Sequence, residues 1–256
     1  MSKLQIHQIP VLHDNYLYLI KDIASDKVAI VDPAVSDPVL DKLNELGWKL
    51  THILNTHHHM DHTGANLDLK EKTGCTIVGS KSDASRIPGI DVQLSDGDVY
   101  EFGESNARIF DVSGHTIGHI AYWFEQSNAL FCGDALFALG CGRLFEGTPA
   151  QMWESLSKLK TLPDTTQIYC AHEYTEANAK FALSVEPQNT DLQNRYEEIV
   201  KLRGANKPTV PSTLADEKRT NPFLRPDSDY IQETLGMRGS NLIDIFAEIR
   251  SRKDNF

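Results

Sequence analysis

One short stretch limits the folds open to this chain more than any other: residues 56–64, which read Thr-His-His-His-Met-Asp-His-Thr-Gly. The stretch follows the apolar run from His52 to Asn55, which is typical of a β-strand, and it precedes a helical segment. Imidazole and carboxylate side chains suit zinc and its first-row neighbours. The fold must therefore present a strand end at which several of these side chains face one point.

The order of the residues in this stretch predicts two ions. His57 and His59 stand two apart at the end of a strand, so that both side chains can face the same way and share one ion. Asp61 and His62 follow at the turn into the helix, where we expect them to hold a second ion. His58 is interpreted as a structural or surface residue.

Three more candidate ligands follow predicted strands, and they are His115 after 107–112, Asp134 after 129–132 and His172 after 167–170. Loops at the carboxyl ends of strands in α/β folds gather along one rim, so four separate segments can meet there. The predicted ligands of the first ion are His57, His59 and His115; those of the second are Asp61, His62 and His172; Asp134 bridges the two. We interpret His119, Asp32 and His7 as structural residues or as residues that orient the ligands.

Two ions about 3.5 to 4 Å apart can hold a bridging water and lower its pKa toward neutrality. This arrangement predicts hydrolysis by a bridging hydroxide, with Asp61 and Asp134 as the catalytic carboxylates that hold the ions. The sequence identifies no serine or cysteine nucleophile with a positioned base.

The rest of the chain predicts a layered arrangement of strands and helices. The predicted strands are residues 16–21, 28–32, 52–55, 76–79, 107–112, 119–124, 129–132 and 167–170, and the helices between them are 38–46 and 152–160. After His172 the pattern becomes helical, at 176–184, 191–203 and 241–252. Four prolines predict an irregular connection over 204–229. We therefore predict a metal-binding catalytic domain over 1–172 and a helical domain over 173–256.

Charge and composition limit the kinds of molecule that this chain is expected to bind. The 256 residues carry a formal net charge of -11, which disfavours nucleic acid, whose binding relies on Lys and Arg. Cations nevertheless cluster at 250–253, where an anionic small molecule can bind. No stretch approaches the roughly 20 apolar residues of a membrane helix. Four scattered cysteines and the lack of a signal-peptide pattern predict a cytoplasmic protein with reduced thiols.

The segments 56–62, 113–119, 131–134 and 171–175 resemble the metallo-β-lactamase superfamily. Within it, the segments 140–148, 171–175, 221–225 and 250–256 resemble the glyoxalase II (hydroxyacylglutathione hydrolase) branch. The resemblance spans nearly the whole chain. It implies an α+β fold, an αββα sandwich that carries the metals, followed by a C-terminal helical domain that supplies much of the glutathione site.

Carried over residue by residue, the resemblance implies glutathione contacts at Arg143, Tyr174, Arg250 and Lys253. Glutathione presents carboxylates, which an Arg fork and a Lys ammonium bind well. Some members of the branch have Lys and Tyr where this chain has Arg143 and Phe145, and Phe145 offers no hydroxyl.

The activity implied is hydrolysis of the thioester of S-(2-hydroxyacyl)glutathione, such as S-D-lactoylglutathione, to glutathione and D-lactate, the second step of methylglyoxal detoxification. We expect a monomer with two divalent ions, zinc first, and iron or manganese as alternatives. The main alternative is a mononuclear iron persulfide dioxygenase of the same superfamily, which does not need His62 and His172 as ligands. A ribonuclease or lactonase agrees less well with the charge and the basic tail. A closed structural zinc site is usually rich in cysteine, unlike this one.

Overall fold

Two six-stranded β-sheets face each other in the computed structural model, which describes residues 4–256. In spatial order, the first sheet comprises β1 (Leu4–Val11), β2 (Asn15–Asp22), β3 (Val28–Val31), β4 (His52–Leu54), β5 (Thr76–Ser80) and β6 (Val92–Leu94). In spatial order, the second comprises β14 (Ser212–Thr213), β13 (Gln167–Cys170), β10 (Ala129–Gly133), β9 (Ile120–Phe124), β8 (Ser105–Asp111) and β7 (Val99–Phe102). A small hairpin joins β11 (Leu136–Phe137) to β12 (Gly140–Cys141).

Helices cover the sheets and form most of the C-terminal third. They are α1 (Asp37–Leu46), α2 (Met60–Thr63), α3 (Asn66–Thr73), α4 (Pro149–Lys160), α5 (Thr175–Val185), α6 (Thr190–Gly204), α7 (Leu214–Thr220), α8 (Asp229–Leu235) and α9 (Leu242–Asp254). Short 3₁₀ turns lie at Glu125–Ser127 and Pro222–Leu224. The predicted αββα sandwich with a helical C-terminal region is confirmed.

Strand direction decides which loops meet at one edge. The strands β3, β4, β5 and β6 run parallel in the first sheet, and β10 runs parallel to β13 in the second. The strand β9 lies antiparallel between β8 and β10, so β8 and β10 also point the same way. The carboxyl ends of β4, β8, β10 and β13 therefore open onto one edge of the sandwich.

Alternation along β2 shows how the layers are held. Tyr18 and Ile20 face the second sheet and join the core between the sheets, whereas Leu17 and Leu19 pack under the helices on the outer face. All four are at most 2% exposed. A strand buried on both faces reads as a continuous apolar run, as β2 does, and apolar burial on both sides is the main stabilising term for the sandwich.

The prediction of an irregular connection over 204–229 is wrong in part. Pro208 and Pro211 do keep that stretch from helix, but β14 pairs with β13 at the edge of the second sheet, and α7 follows at once. The side chain of Thr213 caps α7 by accepting from the backbone N–H of Asp216. Pro222 comes only after α7 has ended, so the prolines flank a seven-residue helix that proline spacing alone does not reveal.

Among residues 4–256, none of the helices combines the length and the apolar content that a bilayer crossing requires.

Candidate metal centre

All seven predicted ligands lie at the edge where the four strand ends meet. Within the described chain they form three overlapping groups whose ligand atoms lie within 4.8 Å of one another: His57, His59 and His115; His57, His62 and Asp134; Asp61, His62 and His172. Two glycines allow the segments that carry these ligands to pack closely against their neighbours. A Cβ on Gly64 would lie 2.6 Å from the carbonyl oxygen of Ala34, and one on Gly133, where φ is +48°, would lie 2.3 Å from Oγ1 of Thr56.

Three imidazoles converge on the first subsite. Nδ1 of His59 lies 3.1 Å from Nε2 of His57 and 3.1 Å from Nε2 of His115. Nitrogen ligands at the usual zinc distance stand about 3.3 Å apart at the corners of a tetrahedron, so the three nitrogens match three corners around a single ion.

Asp134 lies between this first subsite and the second. Its Oδ2 is 3.4 Å from Nε2 of His115, whereas its Oδ1 is 3.4 Å from Nε2 of His172 and 3.5 Å from Nε2 of His62. Asp61 closes the second subsite, because its Oδ2 lies 3.5 Å from each of those two Nε2 atoms. Each carboxylate oxygen of Asp134 thus faces a different subsite, which is the geometry a bridging ligand requires.

Buried polar atoms without a partner support the fit of metal ions to this donor set. Both ring nitrogens of His62 and Oδ1 of Asp134 are buried and make no hydrogen bond within the described chain. Buried polar atoms are normally satisfied, so orphans that face one another call for an explanation. A divalent ion would satisfy Nε2 of His62 and Oδ1 of Asp134, whereas Nδ1 of His62 faces Oδ2 of Asp32. His with Asp is the donor set of an open catalytic site.

The atoms behind the ligands fix the orientation of the rings. Nδ1 of His115 donates to the carbonyl of Arg143 at 2.8 Å, and Nδ1 of His172 donates to Oδ1 of Asp14 at 2.8 Å. The hydroxyl of Thr56 donates to Asp32 and lies 3.0 Å from Nδ1 of His57. These contacts leave Nε2 of each ring free for an ion.

The residues interpreted as structural or ligand-orienting fall into two classes. Asp32 lies beside a ligand, with its Oδ2 3.2 Å from Nδ1 of His62. His119 is buried, stacks on His57 at 4.5 Å and accepts from the backbone N–H of Asp134 through Nε2. His7 is remote from the centre, because its ring packs edge-on against Trp48 on the outer face of the first sheet.

Electrostatics differ between the two subsites. Burial and the neighbouring imidazoles lower the pKa of His57, His59 and His115. Burial acts in the same direction on His62 and His172, but the surrounding carboxylates, Asp134 foremost, outweigh it and raise the pKa of both. Burial would raise the pKa of Asp134, yet the charges of His62 and His172 hold it well below its usual value. The carboxylates of the second subsite therefore favour a cation there, and a proton and a metal ion would compete for the same ring nitrogens.

Two aromatic rings flank the centre on opposite sides. Tyr174 is 38% exposed and stacks on His172 with the ring planes 1° apart, and Phe145 is 63% exposed and packs edge-on against His59 and His115. Burial raises the pKa of Tyr174, as do nearby carboxylates, so its hydroxyl stays protonated and can donate.

The predicted basic residues form one cluster, but they are not equally available. Arg250 and Lys253 stand one turn apart on α9, and Arg250 contacts Cys141, two residues before Arg143, so the three cations lie in one region. Burial and the charges of Arg250 and Arg143 lower the pKa of Lys253. Arg143 is exposed. Arg250 is only 5% exposed, donates to the carbonyl of Cys141 and pairs with Asp254 at 2.8 Å. Its predicted contact with glutathione stays a prediction and requires a ligand that reaches a covered guanidinium.

Two family models cover the described centre and the tail. Residues 13–172 match the metallo-beta-lactamase superfamily, and residues 173–256 match the hydroxyacylglutathione hydrolase C-terminus. A protein of Methylococcus capsulatus with the name hydroxyacylglutathione hydrolase is 57% identical over 253 residues, 99% of each chain. The chain belongs to the hydroxyacylglutathione hydrolase family. A relative of the same name from Rhodospirillum rubrum is 53% identical over 256 residues, the full length of both.

Solved structures agree on the fold of this family member. ETHE1 from Myxococcus xanthus superposes with a TM-score of 0.68 at 28% identity, over 97% of this chain and 98% of that one. TTHA1623, solved in a di-iron-bound form, superposes with a TM-score of 0.62 at 23% identity, over 86% of this chain and all of that one.

Sequence reasoning missed several residues that serve the centre. Asp14 orients His172, and Asn15 donates from Nδ2 to Oδ2 of Asp61 at 3.1 Å. Asp14 lies in the turn between β1 and β2 and Asn15 begins β2, far from the His-rich stretch in sequence. Polar residues are common in turns, so only the approach of this turn to His172, where Asn15 makes an isolated β-bridge, reveals their role.

Proposed function

We propose that this chain is a dinuclear metal hydrolase that cleaves the thioester of S-(2-hydroxyacyl)glutathione, with S-D-lactoylglutathione as its substrate. The observation that carries the proposal is the position of Asp134, whose two carboxylate oxygens face separate sets of ligand atoms at 3.4–3.5 Å. Full-length relatives with the name hydroxyacylglutathione hydrolase support the substrate class.

In this proposal His57, His59 and His115 hold one ion, Asp61, His62 and His172 hold the other, and Asp134 bridges them. Two divalent ions bound there would supply hydroxide from water near neutral pH and would stabilise negative charge on the thioester oxygen. A thiol with a pKa near 8.5 departs readily as thiolate, so the chain does not need the strong proton donor that amide cleavage requires.

The remaining residues of the proposed site bind and orient the substrate. We assign Arg143, Tyr174, Arg250 and Lys253 to the glutathione moiety, whose carboxylates suit a basic cluster. Phe145 and Tyr174 flank the two subsites and leave the acyl thioester between them. In this proposal, residues 1–172 provide the metal ligands, and residues 173–256 provide most of the affinity for the glutathione moiety. Arg143 is the glutathione-binding residue that comes from the first of these two regions.

Hydrolysis of S-D-lactoylglutathione by the purified protein, followed by loss of thioester absorbance, tests the proposal. We expect chelator-sensitive turnover and about two metal ions per chain on the same sample, with zinc as the first expectation and iron or manganese as alternatives. Full metal occupancy without turnover would reject the thioesterase proposal.

The competing function is oxidation of a persulfide by a single iron. The second ligand group of Asp61, His62 and His172 and the names of the full-length relatives both speak against it. Oxygen consumption with glutathione persulfide would favour that function, as would a content of one iron per chain.

Cytoplasmic location and a monomeric state belong to the proposal as well. All four cysteines are buried and free, as expected in a reducing compartment. Light scattering of the purified protein tests the monomer, and a fluorescent fusion tests the location.

A further inference from the structure

His58 is the one histidine of the His-rich stretch outside the three candidate ligand groups. It nevertheless has a fixed environment. Its Nδ1 donates to Oδ2 of Asp83 at 2.9 Å, and its Nε2 lies 3.7 Å from Oε1 of Glu146. The ring therefore lies between two carboxylates, on neither of which the proposed metal ions depend directly.

Asp83 is fully buried, and a buried carboxylate is costly unless it is paired and hydrogen-bonded. Besides His58, it receives Nε and Nη2 of Arg86, the first at 3.0 Å. The loop that carries His115 packs directly on this carboxylate, because a Cβ on Gly118 would lie 2.2 Å from Asp83 Oδ1.

Arg86 extends the contacts from Asp83 to Glu146. Its Nη2 donates to Oε2 of Glu146 at 3.1 Å, and its Nη1 donates to Oε1. Oε2 of Glu146 also accepts from the backbone N–H of Ile117 at 2.8 Å. One residue before Glu146, the backbone N–H of Phe145 donates to the carbonyl of His115 at 3.2 Å.

Three separate segments thus share this one network: the His-rich stretch through His58, the loop of His115 through Ile117 and Gly118, and the segment of Phe145 through Glu146. The first ion draws its predicted ligands His59 and His115 from two of these segments. The second ion shares only the His-rich stretch with this network, and its ligands have contacts of their own: His62 with Asp32, His172 with Asp14 and Asp61 with Asn15.

We infer that His58, Asp83, Arg86 and Glu146 form a positioning network that sets His59 and His115 for the first metal ion and leaves the second ion largely unaffected. The inference rests on the proposed dinuclear centre. The physical reason is that rigid contacts behind a ligand reduce the reorganisation needed when an ion binds, and loss of such contacts typically costs about 10- to 100-fold in metal affinity.

The test uses Arg86→Met, which keeps much of the aliphatic length and removes the fork between the two carboxylates. The matched control is Arg238→Met, which removes an exposed guanidinium paired with Glu233 elsewhere on the protein. Zinc affinity is measured by chelator competition, and cobalt is titrated by its visible absorption. We expect the dissociation constant of the first ion to rise about 10- to 100-fold and that of the second to stay within about 2-fold of the parent. The control should match the parent for both ions.

Glu146→Gln provides an independent variant, because it keeps the shape of the side chain and removes its charge. Its effect on the first ion should largely vanish when it is combined with Arg86→Met, as expected for residues in one network. An equal loss of both ions would overturn the inference and indicate general destabilisation. Unchanged affinities beside a lower melting temperature of the metal-free protein would overturn it as well. A parent protein that binds no metal would reject the proposed centre and this inference together.

Discussion

The metal-binding edge and the helical tail both contribute polar residues to the proposed site, but they hold them in opposite ways. At the edge, ligand atoms face one another at 3.1–3.5 Å, and Asp134 Oδ1 is buried without a hydrogen-bond partner. In the tail, Arg250 is covered and engaged with Cys141 and Asp254. The edge therefore has donor atoms arranged for metal ions. In the tail, by contrast, the guanidinium of Arg250 helps to hold the tail onto the sandwich.

This difference predicts different kinetic roles. Loss of a group that acts on the reacting atoms lowers kcat, whereas loss of a group that binds substrate and transition state equally raises KM alone. Variants at the edge should therefore lose metal and turnover together. Variants in the tail should keep the metal and lose affinity for the substrate.

The largest effect is expected from Asp134→Ala. The change removes the bridging carboxylate, which is one of the two carboxylates that face both His62 and His172 and the only one of the two that also faces His115. We expect both ions to bind weakly and turnover of S-D-lactoylglutathione to fall more than about 100-fold. Metal analysis and steady-state kinetics on one sample check this, and full activity in the variant would refute the dinuclear mechanism.

A smaller effect is expected from Asp61→Ala, which removes a ligand of the second subsite alone. Asp61 contacts His62 and His172 but belongs to no group with His59 or His115. The variant should retain about one ion per chain and lose turnover about 100-fold. Metal content that stays at two with unchanged kcat would show that Asp61 is not a ligand.

The tail is tested by Lys253→Met, with Lys201→Met on the exposed side of α6 as the matched control. Loss of a charged contact to a glutathione carboxylate should cost about 1.5 kcal/mol, which is roughly a 10-fold rise in KM. Metal content and kcat should stay at the parent values in both variants. A fall in kcat with unchanged KM would show that Lys253 acts on turnover, as the residues of the metal-binding edge do, and would contradict the proposed difference between edge and tail.

The smallest effect concerns pH. Burial and the charges of Arg250 and Arg143 lower the pKa of Lys253, so this residue loses its positive charge at a lower pH than an ordinary lysine. Since the charged form binds the carboxylate, KM should rise with pH, and the rise should begin below the pH of roughly 10.4 at which an ordinary lysine titrates. Lys253→Arg keeps its charge at these pH values and should flatten the rise. An equal rise in both proteins would assign it to another group.

Much of the fold was predictable because local pattern and tertiary structure agree in the sandwich. All eight predicted strands are present, from the one that contains Tyr16 to the one that ends at Cys170, and so are the five predicted helices. The sequence did not predict the strands β1, β6 and β7, because exposed polar residues interrupt their apolar pattern. It did not predict the helix α3 either, because the apolar residues of this helix do not fall on one face.

The candidate centre was predictable for a different reason. Ligand chemistry limits the residue types, and a strand end limits where they can stand, so the positions of His57, His59, Asp61 and His62 followed from one short stretch. The groups that orient the ligands carry no such signature. Asp14, Asp83 and Glu146 are ordinary carboxylates until the fold brings them beside a histidine.

Taken alone, the sequence determined eight of the strands, the family likeness and the seven candidate ligands, because strand periodicity and metal-ligand chemistry are both local properties. The tertiary structure decided which oxygen of Asp134 faces which subsite, which cations stay available and which carboxylates orient the rings. Those outcomes depend on contacts between residues far apart in the chain, such as Arg250 with Cys141 and Arg86 with Glu146, and only the packed fold brings such pairs within hydrogen-bond distance.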